Sequence, residues 1–182
     1  MKKEWRLICR EMEKCRLENQ KIELSDNLLW FLVIGEDHRF WSHYGCDPVG
    51  LLRAFWCSNI RKSRQGGSTI AMQLVRTIIK KYEPTLKRKL IEIILAFMLT
   101  RKYSKEQILR TYLLVAYFGW NMHGVKQACH QIGVNYSKLD DYSAASIVAR
   151  LKYPQPRHYN EIKENLIQMR TNYLLERTKL TK

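Results

Sequence analysis

Thirteen consecutive positions, Gly35-Glu36-Asp37-His38-Arg39-Phe40-Trp41-Ser42-His43-Tyr44-Gly45-Cys46-Asp47, hold three acids, two histidines, an arginine and several aromatic rings. Glu36 follows the apolar run Leu28–Ile34, which puts its carboxylate at the edge of a buried helix. Partial desolvation there suits a general base. Asp37 points to another side of the helix, where it can accept hydrogen bonds from backbone or from an arginine. A polar helix end, whose His and Asp satisfy loop backbone, is the equally weighted alternative. Asp37, His38, His43 and Asp47 are metal-ligand types, but their spacing is not diagnostic and no metal ligand is assigned.

A second group is Gln65-Gly66-Gly67-Ser68-Thr69-Ile70-Ala71-Met72-Gln73. Two glycines before a Ser/Thr-capped helix allow close backbone approach, and the helix start offers N–H groups to an anion. The G-K-[ST] ending of a Walker A loop is missing, and no strand precedes the segment, so neither a P-loop nor a dinucleotide fingerprint is read. By itself the segment is a weak signal, outweighed by the reading of an ordinary capped helix start. A third group is Lys87-Arg88-Lys89-Leu90-Ile91-Glu92. Arg88 and Glu92 share a helix face at i,i+4. They form either a surface pair or a carboxylate held by arginine beside an anion site, to which Arg76, Lys80 and Lys81 could add.

The elements that must position these groups are helical, because apolar residues recur at helical spacing and strand-like alternation is nearly absent. Helices are expected over 4–20, Leu28–Glu36 and Val49–Asn59, the last opened by Pro48. Ser68 is read as the cap of a helix from Thr69 to about Lys81. Pro84 breaks it, and another helix runs from about Thr85 to Arg101. Ser104 and Gln107 form a capping box that opens Lys105–Tyr117. Asp141–Leu151 and Glu161–Thr178 follow. The fold class is all-α, with functional loops between helices.

The chain has 182 residues, 46% of them hydrophobic, with eight Gly and four Pro, which excludes disorder and low complexity. Its formal charge of +15 points to an anionic partner: nucleic acid, membrane surface or phosphorylated substrate. Residues 61–112 carry 13 of the cations and only three acids, so two thirds of the excess lies there. Five cysteines, with no C-x-x-C, argue against a disulfide framework or zinc ribbon and for buried or inert thiols. The N-terminal run has no apolar signal core, and no run approaches the roughly 20 apolar residues of a membrane span.

Taken in order, the motifs resemble the peptidoglycan glycosyltransferases, glycosyltransferase family 51. The pattern E-D-x-x-F-x-x-H-x-G is met by Glu36, Asp37, Phe40, His43 and Gly45. G-G-S-T-I-x-x-Q-L is met by Gly66, Gly67, Ser68, Thr69, Ile70, Gln73 and Leu74. R-K-x-x-E is met by Arg88, Lys89 and Glu92. A fourth, K-x-x-I-L-x-x-Y-L, is met by Lys105, Ile108, Leu109, Tyr112 and Leu113. The resemblance covers about residues 24–160, with 1–23 read as a charged N-terminal helix and 161–182 as a C-terminal helix.

The resemblance implies a lysozyme-like helical lobe with a small membrane-facing jaw lobe. It implies lipid II, an undecaprenyl-pyrophosphate disaccharide-peptide, polymerised into β-1,4 glycan with inversion at MurNAc C1. Glu36 would be the base and Glu92 the second acid, near the leaving-group side. Asp37, Phe40, His43, Gly67, Ser68, Thr69, Gln73, Arg76, Arg88, Lys89 and Tyr112 would contact substrate. No cofactor is required, although the family allows a divalent cation, Mg or Mn, on the pyrophosphate. The implied location is peripheral, at the outer face of the bacterial cytoplasmic membrane, alongside cell-wall synthesis proteins.

The sequence departs from the family pattern at Leu114, where the fourth motif has Asn, and at Ile91 and Pro84, where charge or amide is usual. These changes motivate a second reading, a weakened or specialised relative that binds another lipid-linked glycan. A basic helical nucleic-acid binder is a third, suggested by the charge and five tryptophans. A lysozyme-like hydrolase is a fourth.

Overall fold

The computed structural model describes residues 1–20, 22–60 and 66–179. The basic loop expected before Gly66 has its residues 61–65, including Gln65, outside the described residues, as does the side chain of Cys57. The order is α1 (Lys2–Asn19), α2 (Asp26–Glu36), a 3-10 turn (Phe40–Ser42), α3 (Pro48–Ile60), α4 (Ile70–Ile79), α5 (Leu86–Lys102), α6 (Lys105–Val115), β1 (Tyr117–Gly119), β2 (Met122–His123), α7 (Gly124–Ile132), α8 (Asp141–Lys152) and α9 (Glu161–Lys179). The all-α expectation holds apart from one small antiparallel hairpin, β1–β2.

Helix α2 is the central element. Leu28, Phe31 and Leu32 are fully enclosed, and the helix packs against α8 and α9. Helix α4 has a strongly amphipathic sequence, and it buries Ile70, Ala71, Met72, Leu74 and Val75 between α1, α5 and α6. The ends of α2 and α4, which carry the first two motifs, are therefore fixed by one continuous core.

Three local readings change. The cap of α4 is Thr69, not Ser68: Thr69 Oγ1 accepts the Met72 N–H at 3.2 Å. Helix α4 stops at Ile79 because Lys80 turns left-handed, before Pro84 is reached. Helix α6 ends at Val115, and the chain then forms the hairpin, whose Phe118 carbonyl and Trp120 N–H hydrogen-bond to the backbone of Gln155, in the segment after α8. The Ser104–Gln107 capping box is present as expected.

Gly45 explains the last position of the first motif. Its φ is +82°, and a Cβ there would stand 2.3 Å from the Ala96 carbonyl oxygen. Only glycine lets the loop lie against the backbone of α5. Ile91 and Leu114, the departures from the pattern, both pack against the core, which gives their apolar character a structural reason. Cys15 and Cys129 are buried, and burial pushes their thiols up to about 11 and about 12.

Candidate active site

Glu36 is the last residue of α2, and its side chain is 14% exposed. It lines a small cleft together with Asp37, His38, Asp47, Gly50, Arg53 and the Gly66–Thr69 segment. The first two motifs thus meet around one carboxylate. Gln73, one turn into α4, donates its amide to Glu36 Oε2 at 3.1 Å. Tyr112 on α6 donates its hydroxyl to the carbonyl oxygen of Gln73 at 2.6 Å. Burial pushes the Tyr112 phenol well above its ordinary value, and the nearby Glu36 charge adds to this. Tyr112 therefore remains a neutral donor, and the Tyr112–Gln73–Glu36 chain sets the orientation of the carboxylate.

The other residues of the first motif build the loop. His43 Nε2–H donates to Asp37, with 3.0 Å to each carboxylate oxygen. Asp37 Oδ2 also accepts the Ile70 N–H at 3.2 Å, joining α2 to the first turn of α4. Thr69 donates its hydroxyl to the Gly45 carbonyl at 2.6 Å. Phe40 is fully enclosed, and the Lys105 ammonium lies 4.4 Å from its ring centre. Lys105 also donates to the carbonyls of Phe40 and His43. Burial lowers the Lys105 pKa. In place of the substrate contact expected of them, Phe40 and His43 lie inside the protein and hold the loop.

The α4 start is also less open than expected. The Ile70 N–H is taken by Asp37 and the Met72 N–H by Thr69, so these amides are not free for an anion. Side chains supply the cationic surface instead. Glu92 is completely buried, and its two oxygens accept Arg76 Nε at 2.8 Å and Arg76 Nη2 at 3.1 Å. Arg88 Nη1 donates to Glu92 Oε1 as well. The Arg88–Glu92 pair is thus an enclosed clamp rather than a surface pair. The hydrogen bond to Glu92 raises the Arg76 pKa. Beside the clamp, Ser68 Oγ accepts from Lys89 Nζ at 2.7 Å and Arg76 Nη2 at 3.2 Å. Burial lowers the Lys89 pKa. With both lone pairs engaged, the Ser68 proton is left to donate. Lys80 and Lys81 are exposed, and Lys81 pairs with Glu4 at 3.0 Å, so neither joins the group.

Among the described residues no cluster of three or more His, Cys, Asp or Glu side chains could hold a metal ion. The set considered from sequence does not fit one. Asp37 is occupied by His43 and Ile70, and Asp47 by the Val49 N–H and Arg39.

Two residues that shape the site were given no role by the sequence. Lys105 stood in the fourth motif, and its task as a clasp for the first-motif loop follows from an approach across 62 residues. Arg170, on α9, places Nη2 3.6 Å from Glu36 Oε1 and carried no spacing signal at all.

A family model described as Transglycosylase matches residues 8–179. Penicillin-binding protein 1B of Haemophilus influenzae is 42% identical over 130 residues, 68% of this chain and 16% of the relative. Penicillin-binding protein 1A of Aquifex aeolicus is 36% identical over 135 residues, 72% of this chain and 18% of the relative. The monofunctional glycosyltransferase of Staphylococcus epidermidis is 33% identical over 146 residues, 75% of this chain and 54% of the relative. The chain thus spans less than a fifth of the two penicillin-binding proteins and about half of the third protein.

Proposed function

The chain belongs to the transglycosylase family, and from that premise we propose that it is a peptidoglycan glycosyltransferase that polymerises lipid II into β-1,4 glycan. The observation that carries this reading is the Glu36 carboxylate in a cleft bounded by the Gly66–Thr69 segment, whose Ser68 is held by Arg76 of α4 and Lys89 of α5. Glu36 takes the proton from the acceptor GlcNAc 4-hydroxyl. That oxygen attacks C1 of the donor MurNAc from the face opposite the leaving group. The C1–oxygen bond to the pyrophosphate breaks, and undecaprenyl pyrophosphate leaves with the electron pair. Ser68, Arg76 and Lys89 balance the developing charge on the leaving group.

Glu92 acts in this account as a positioning residue. It is buried beneath two arginines and holds them toward the pyrophosphate. That same burial disfavours the hydrolase reading, which needs a second carboxylate able to reach sugar or water. The nucleic-acid reading loses ground because Arg76, Arg88 and Lys89 converge on Glu92 and Ser68 instead of spreading along one exposed helix face. A divalent cation would bind through the substrate pyrophosphate, and no step here is routed through it.

No helix of the described residues is long and apolar enough to cross a membrane. Helix α5 nevertheless leaves Leu86, Leu90, Ile94 and Phe97 exposed along one stripe, and α3 exposes Val49, Leu52 and Trp56. These apolar surfaces, with the surrounding positive charge, form the membrane-facing side that a peripheral enzyme on a lipid-linked substrate requires. The periplasmic or outer membrane face and a place among cell-wall synthesis proteins belong to the same proposal.

The test is incubation of the chain with labelled lipid II, with and without Mg²⁺, followed by sizing of products. Glycan strands with release of the lipid pyrophosphate are expected. Lipid II binding without product would favour the weakened relative, for which Leu114 is the motivating departure.

A further inference from the structure

The C-terminal helix contributes to the base itself. We propose that Arg170 on α9 is a positioning residue for the Glu36 carboxylate, a proposal that rests on Glu36 being the base. Its Nη2 donates to the Gly35 carbonyl at 2.5 Å and stands 3.6 Å from Glu36 Oε1. One guanidinium nitrogen therefore touches both the backbone just before the base and the base's own side chain. Gln73 holds the other oxygen, Oε2, from α4. The two oxygens of the carboxylate are fixed from two separate helices, and each keeps a lone pair for the acceptor hydroxyl.

Several features make this more than a helix-packing contact. Gly35 lets α2 lie close to α8 and α9, which brings Arg170 within reach: a Cβ there would stand 3.0 Å from Val148 Cγ1 and 3.1 Å from Leu174 Cδ2. The guanidinium lies 5.1 Å from the Tyr173 ring centre, which limits its rotation. Arg170 Nε is buried and has no hydrogen-bond partner among the described residues, so the guanidinium's polar contacts run through its Nη2 to Gly35 and Glu36. Lysine could not reproduce the geometry, since a point charge on a flexible stem does not pre-align with both acceptors. The groups around Glu36 are Gln73 on α4, Tyr112 on α6, and Asp37, His38, Asp47 and Arg53 along the cleft. Among the described residues, Arg170 supplies the ion pair to Glu36.

The test uses the full chain with R170M, R170K, E36Q and the R170M/E36Q double variant. For R170M, kcat on lipid II is expected to fall about tenfold or more, with KM within about twofold. R170K should recover only part of kcat while leaving KM near wild type. Urea unfolding of wild type, R170M, E36Q and R170M/E36Q should show non-additive losses, which isolates the Glu36 contact from the Gly35 bond. A wild-type kcat in R170M, or a loss of kcat/KM carried by KM instead of kcat, would overturn the proposal. A wild-type chain that makes no glycan contradicts the proposed function instead. The urea cycle then decides on Arg170 alone: additive losses overturn its coupling to Glu36, and non-additive losses support it.

Discussion

Gln73 donates its amide N–H to Glu36 Oε2 across 3.1 Å while its carbonyl oxygen receives the Tyr112 hydroxyl at 2.6 Å. A helix end, a second helix and a third are tied to one carboxylate by a single amide that cannot flip without losing both bonds. The carboxylate proposed as the base is therefore aimed before substrate arrives, and such preorganisation is where a general base gains rate.

Tyr112→Phe removes the hydroxyl that fixes the Gln73 orientation. One neutral hydrogen bond is worth about 1 kcal/mol, so kcat is expected to fall about fivefold with little change in KM. Burial raises the Tyr112 phenol above its ordinary value, so it does not titrate across the assay range. The pH–rate profile of the variant should keep its wild-type shape, measured as initial rates of glycan formation. A changed shape would mean that Tyr112 exchanges protons instead of holding Gln73.

Glu92→Ala leaves Arg76 and Arg88 without their shared partner inside the protein. Breaking such a pair from one side costs about 3 kcal/mol, so the urea midpoint should fall clearly. Activity should fall with it even where the variant is still folded, because Arg76 is then free to leave Ser68. A stability within about 0.5 kcal/mol of wild type would remove the clamp from the account.

Lys89 is expected to set the alkaline limb of activity. Burial lowers its pKa, so as pH rises its ammonium is lost sooner than that of an ordinary lysine. The contribution to leaving-group stabilisation is present below that pKa and disappears above it. Lys89→Arg should extend activity to higher pH, and Lys89→Met should lower kcat/KM about a hundredfold. An identical alkaline limb in Lys89→Arg would exclude Lys89 as its source.

The helices were legible because local signals agreed with the core they form. The capping box at Ser104 and Gln107 depends only on near neighbours and is present as read. Ser68 and Thr69 carry similar local signals, and the choice between them is made from outside. Lys89 and Arg76 draw the Ser68 hydroxyl away, while the Gly45 carbonyl receives the Thr69 proton. The same limit applies to the site. Motif spacing brings out Glu36, Gln73 and Glu92, but the burial of Phe40 and the clasp of Lys105 arise from packing across tens of residues. The hairpin was missed because three- and two-residue strands carry no usable alternation. Arg170 was missed because its partner lies more than 130 positions earlier in the chain.

The claim that Glu36 is the base is tested most directly by sizing the glycan that wild type and Glu36→Gln make from labelled lipid II. The uncharged amide is nearly isosteric and can still contact Gln73, so the variant should stay folded, losing only the Arg170 ion pair, and should keep its lipid II binding. It is expected to make no glycan strands under conditions where wild type does. Strands formed by Glu36→Gln at the wild-type rate would contradict the account.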